Sequence, residues 1–186
     1  MPVLRRIAMM LLVGILLTGC APLMDWLQVP QPPDREVPVS EEAADRLVES
    51  WRAAMEQLTA SGQATVQMHE EELTSFVRLR LSSEVPLPLT EPTVWFEADR
   101  IYLQGRLHLD QFPVDWPVLL VLTTAVEDGM LTVDVRQGAI SWLPMPSILL
   151  SAVDQGVDAI LTNLHTNFII EQVRLEQRVA EISLRR

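Results

Sequence analysis

Apolar positions recur at three- and four-residue spacing through Ala44, Leu47, Val48, Trp51, Met55 and Leu58, which predicts an amphipathic helix over residues 40–61. Ser40 supplies an N-cap, Glu41 and Glu42 stand at the positive end of the helix, and Gly62 stops it. Ala64, Val66 and Met68 then alternate with polar residues as a short strand, and Leu73, Phe76, Val77 and Leu81 predict a second, shorter helix over 70–81. Pro86, Pro88 and Pro92 predict a loop. From Val94 the period is two. Ile101, Leu103, Gly105, Leu107 and Leu109 share one strand face, and Tyr102, Gln104, Arg106, His108 and Asp110 the other. Residues 118–126 are apolar on both faces, and Asp128-Gly129 turns the chain into Leu131, Val133 and Val135, alternating with Thr132, Asp134 and Arg136. That is a meander of at least three antiparallel strands. Pro144 and Pro146 end it, Ser147 predicts the cap of a third helix to about residue 165, and Leu149, Val153, Gly156, Val157, Ile160 and Leu164 line one face of that helix. Residues 168–184 close the chain as one or two strands, so the fold class is α+β.

The N-terminus has a different character. Arg5 and Arg6 precede an apolar run over 7–17 that ends in Leu17-Thr18-Gly19-Cys20. Eleven positions are too few to span a ~30 Å hydrocarbon core, and a basic start with small residues before a cysteine is the pattern of a cleaved signal. The match to a bacterial lipobox implies a signal peptide over 1–19 and a mature N-terminus at Cys20 carrying palmitate-type acyl chains. Several such chains, at ~0.8 kcal/mol per buried methylene, hold a protein on a membrane where one chain does so marginally. The expected location is the cell membrane, lipid-anchored, on the extracytoplasmic side. Residues 20–39, with Pro22, Pro30, Pro32, Pro33 and Pro38, read as an extended tether from which the core draws nothing, and 40–186 as a single domain. Trp26 and Leu27 fit either the lipid headgroup zone or a cap on the folded body.

Charge narrows the partners. Loss of 1–19 removes two of the 14 basic residues and none of the 25 acidic ones, so the mature charge is 12 − 25 = −13, with no lysine anywhere. Nucleic acid is excluded as a partner, because phosphate binding draws on clustered cations. An anionic membrane surface repels such a body, so attachment falls to the anchor. Cys20 is the only cysteine, which excludes a disulfide within the chain and any cysteine-based metal site.

Candidate chemistry is sparse. His69, His108 and His165 have no ligand spacing, no G-x-S-x-G elbow exists, and no glycine-rich phosphate loop appears. Glu70, Glu71 and Glu72 are the densest acidic run, and at a helix start they are accounted for by the macrodipole. No catalytic residue, metal or cofactor is expected.

The order Met68-His69-Glu70-Glu71-Glu72-Leu73-Thr74-Ser75-Phe76-Val77, then Leu89-Thr90-Glu91-Pro92-Thr93-Val94-Trp95-Phe96, Asp128-Gly129 and Ile140-Ser141-Trp142-Leu143-Pro144-Met145-Pro146-Ser147-Ile148-Leu149-Leu150 resembles small bacterial envelope proteins of YpmS/LmeA type, and more loosely TULIP-like lipid-binding lipoproteins. The likeness covers roughly 40–186. It departs at Ala139-Ile140-Ser141-Trp142, where a glycine often precedes L-P-x-P. The resemblance implies a strongly curved antiparallel β-sheet packed around a long helix, with additional N-terminal helices, and an apolar groove for phospholipid or another amphiphile; it carries over no catalytic residue.

Two readings of the abundant aliphatic surface follow. In the first, an anchored domain binds or shields a phospholipid or lipid-linked ligand in a groove lined by Leu107, Leu120, Leu122, Val133 and Val135 from the sheet and Leu149, Val153, Val157 and Ile160 from the third helix. In the second, the same residues close into a solid core and the domain is a ligand-free envelope interaction or assembly module. An envelope enzyme would need polar groups gathered from distant positions, which no spacing here reveals.

Overall fold

Ser40 opens the first helix as its sequence predicts. Its side chain accepts from the Ala43 N–H at 3.1 Å and its carbonyl takes the Ala44 N–H, starting α1 (Glu41–Ser61). Gly62, at φ 79, ends it and returns its N–H to Leu58. A computed structural model describes residues 29–81, 89–107, 115–151, 153–154 and 168–186. The face of α1 that turns inward is Ala43, Ala44, Leu47, Ala54 and Leu58, with Val48 and Trp51 left at its flank.

After α1 come β1 (Gln63–His69), α2 (Glu70–Phe76) and a π-helical continuation, Val77–Leu81. The meander is β2 (Leu89–Glu97), β3 (Arg100–Leu107), β4 (Trp116–Glu127) and β5 (Met130–Ile140), extended by the short β6 (Leu143–Pro144). Residues 147–151 and 153–154 are helical and are called α3 here. Its first turn hangs on the carbonyl of Pro146, which accepts from Leu149 and Leu150, so Pro146 and not Ser147 occupies the cap. The chain closes with the hairpin β7 (Ile169–Glu176) and β8 (Val179–Arg185).

Among the described residues the antiparallel strands divide into two sheets, of order β1-β8-β7 and β2-β3-β4-β5-β6, where the resemblance implied one. Pairing of β1 with β8 joins segments more than a hundred residues apart, from Gln63 against Arg185 to His69 against Val179, and no local pattern encodes it. Among the described residues neither sheet closes into a barrel. Pro92, expected in a loop, lies within β2. It is tolerated because β2 is an edge strand whose register slips between Thr90 and Thr93, with Glu91 at φ 50. The Asp128-Gly129 turn has both residues at positive φ, 53 and 78, the geometry of a two-residue hairpin turn that matches strand twist. Ser141, at φ 57, takes the left-handed conformation at the turn between β5 and β6 and donates its N–H to Pro117.

Three apolar clusters hold these parts. Ala54 and Leu58 of α1 pack on Ala64, Val66 and Leu184 of the three-stranded sheet, with Trp51 edge-on to Phe168 at 6.0 Å. Val94 and Phe96 meet Leu175 and Ala180, joining the two sheets under Leu73 of α2. The third cluster lies beneath α3. There Val118, Leu120, Leu122 and Met145 are buried, and each large aliphatic side chain taken from water contributes about 1.5–3 kcal/mol.

Candidate functional site

Strand β4 places apolar residues on both faces, as its sequence predicts, and Val118, Leu119, Leu120, Val121 and Leu122 are all buried. Even-numbered positions meet α3. Leu120 and Leu122 gather Leu107, Val133 and Val135, five of the expected groove residues, into one contiguous apolar face. From α3, Val153 packs on this face. Leu149 does not: it is 44% exposed, and Leu150 takes the inward position. Gly138 leaves room for the Leu150 side chain beside Leu120 and Met145, and Leu149, one residue and about 100° around the helix, falls outside that contact. Val157 and Ile160 lie outside the described residues, as do His108, Leu109 and His165. At the described end the face is filled. A Cβ built on Gly138 would stand 2.9 Å from Leu150 Cδ2 and 3.2 Å from both Leu120 Cδ2 and Met145 Sδ, so glycine here lets helix and sheet touch. Asp154 fastens the same contact, accepting the Val135 N–H at 2.8 Å beside the register shift at Val121/Leu122.

Beyond this face the chain turns outward at the end of the sheet. Trp142 is 77% exposed and Ile148 78%, with Leu143 and Leu149 also exposed between and beside them. Next to Trp142 runs the segment that precedes α1. Val29 and Pro32 approach Pro117, Leu119 and Trp142 across an open groove of about 340 Å³.

That segment is not the detached tether expected of it. Arg35 reaches into the body and donates Nε (3.0 Å) and Nη2 (2.8 Å) to the two oxygens of Glu70, Nη1 to Glu97, and Nη2 to the Phe96 carbonyl at 2.9 Å. Its own carbonyl accepts from Trp95 Nε1 at 3.0 Å. Side chains of Arg35 and Glu70 retain only 13% and 8% exposure, so the pair is a buried one. The hydrogen bond to Glu70 and, after it, that to Glu97 hold the guanidinium above its ordinary value despite a burial cost.

The acidic run at the start of α2 therefore has partners beyond the helix dipole. Glu72 accepts from Arg46 Nε and from the His69 N–H, and Glu71 accepts from Arg46 Nη2. The hydrogen bond to Glu72, foremost, raises the Arg46 guanidinium above its ordinary value. Thr74 exchanges two hydrogen bonds with the backbone of Val94, and Ser75 Oγ accepts the Ser40 N–H. Glu70, Glu72, Thr74 and Ser75 are all buried, so this polar stretch clamps α1, β2 and the residue 29–39 segment together. The only basic residue between Cys20 and Ser40 was the one sequence signal of the Arg35 contact.

Among the described residues no three His, Cys, Asp or Glu side chains stand together as a metal site, and no helix is long and apolar enough to cross a membrane. No protein-family model, characterised protein or solved structure matches the chain.

Proposed function

We propose that this chain is a bacterial envelope lipoprotein, held at the cell membrane through acylated Cys20, whose extracytoplasmic domain receives the apolar part of a phospholipid, a lipid-linked precursor or another amphiphile. The observation that supports it most is the apolar face of β3, β4 and β5, on which Leu107, Leu120, Leu122, Val133 and Val135 are contiguous and covered by Leu150 and Val153 over the described part of α3. Aliphatic walls with few polar groups suit acyl chains, and a net charge of −13 on the mature chain suits neither nucleic acid nor an anionic surface. A sheet curved around one long helix, as in the YpmS/LmeA-type and TULIP-like proteins it resembles, is the finer fold this reading implies.

A second reading, the ligand-free interaction module, is favoured by the contacts around Gly138, where Leu150, Leu120 and Met145 leave no space. Native mass spectrometry of the full acylated chain released from membranes separates the two. Lipid binding predicts a non-covalent adduct of phospholipid size that leaves on collisional activation. A chain that carries no adduct and takes up no fluorescent phospholipid would overturn lipid binding in favour of the module.

A further inference from the structure

We infer that the exposed edge formed by Trp142, Leu143, Ile148 and Leu149 lies in the interface of the bilayer that carries the anchor, so that the domain is docked on the membrane in one orientation. The inference rests on the reading of Cys20 as the acylated N-terminus.

Three observations converge on this edge. The first is its composition: residues 137–153 contain no Asp, Glu, Lys or Arg, bounded by Arg136 and Asp154, in a mature chain of charge −13. A body so acidic meets a membrane at least cost through the part that brings no charge to it. The second is exposure. Trp142 and Ile148 stand out from the surface while their chain neighbours Met145 and Leu150 are packed inside, which is the disposition of side chains that insert beneath a rigid support. Tryptophan in particular favours the boundary between headgroups and acyl chains.

The third is the route of the chain. Val29 and Pro32 lie beside Trp142, and Arg35 locks the segment that follows them to the body. Only nine steps separate Cys20 from Val29. Fully extended they reach about 30 Å, so the anchor holds this end of the molecule near the lipid surface. The Asp128-Gly129 turn is at the other end of the same hairpin. Met130, which is 64% exposed beside it, is ten residues along β5 from Ile140, or roughly 34 Å.

Acylation leaves the chain with no unmodified thiol, so a cysteine introduced by substitution is the one site for a thiol-reactive fluorophore. Trp142→Cys, Ile148→Cys and Met130→Cys are prepared in the full acylated chain, labelled, checked for an unchanged melting temperature and reconstituted in phosphatidylcholine vesicles. Phosphatidylcholine carrying a nitroxide high on its acyl chain should quench the labels at 142 and 148 at least about twofold more than the label at 130. Equal quenching at the three positions in a chain whose intact mass shows the acyl groups would overturn the docking and leave the anchor standing. A chain without acyl mass that fails to float with vesicles would overturn both. Labels at 142 and 148 that escape lipid quenching, together with a dimeric mass, would assign the edge to a second copy of the chain and overturn membrane docking.

Discussion

Arg35 shows how much one side chain can change the reading of a segment. A proline-rich stretch with five prolines reads as a spacer, yet this guanidinium donates to both oxygens of Glu70, to Glu97 and to the Phe96 carbonyl, and Trp95 closes the loop by donating to the Arg35 carbonyl. Glu70 has little exposure and would be left a buried carboxylate with only the Phe96 N–H at 3.3 Å. Arg35→Ala should therefore destabilise the fold by about 3 kcal/mol, the lower part of the range for a broken buried pair, because Glu97 is about one-third exposed and rehydrates. Urea denaturation of the full chain measures it. Arg35→Ala combined with Glu70→Gln should recover part of the loss, since the remaining amide no longer carries a buried charge.

Over its described residues, helix α3 meets the sheet through Leu150 and Val153. The Pro146 carbonyl accepts the first N–H groups, and Leu150 and Val153 point at Leu120 and Val135 while Leu149 points away. Val153→Asp should accordingly cost several kcal/mol, because an unpaired carboxylate would sit against an aliphatic face and close to Asp154. Leu149→Asp should change stability by less than about 0.5 kcal/mol, as expected of an exposed position. Thermal unfolding of the two variants side by side checks the difference. Similar losses for both would mean that Leu149 is covered in solution. The same element explains Gly138: a side chain there would meet Leu150, Leu120 and Met145 at once, so α3 and β5 are matched at one glycine.

At the scale of the molecule, the two sheets are joined among the described residues by apolar contact around Phe96 and Leu175 and by the backbone bridges from the Arg178 N–H to the Phe96 carbonyl and from the Ile170 N–H to the Gly129 carbonyl. The segment over 29–39 runs along this assembly and takes part in it. A chain beginning at Ser40 should thus be less stable than one beginning at Cys20 by at least the Arg35 contribution, a fall in melting temperature of roughly 5 °C or more for a domain of this size. Differential scanning calorimetry decides it, and equal melting temperatures would show that the segment only rests on the body.

Much of the molecule was legible locally. Ser40 and Gly62 bound α1 because capping is a matter of a hydroxyl and a positive φ within a few residues. Asp128-Gly129 turns the meander for the same kind of reason, and the all-apolar run in β4 announces a strand buried on both faces. Period two groups Leu120 with Leu122 and Val133 with Val135, whereas Ile140 joins the same face only because the register slips at Val121/Leu122. Contacts between distant segments could not be read this way. Pairing of β1 with β8, the burial of Glu70 against Arg35, and the choice of Leu150 over Leu149 each depend on which surfaces meet after the elements form. Hydrophobic periodicity records how a residue faces its own helix or strand. It carries no address for a partner thirty or a hundred residues away, and that address was supplied by packing.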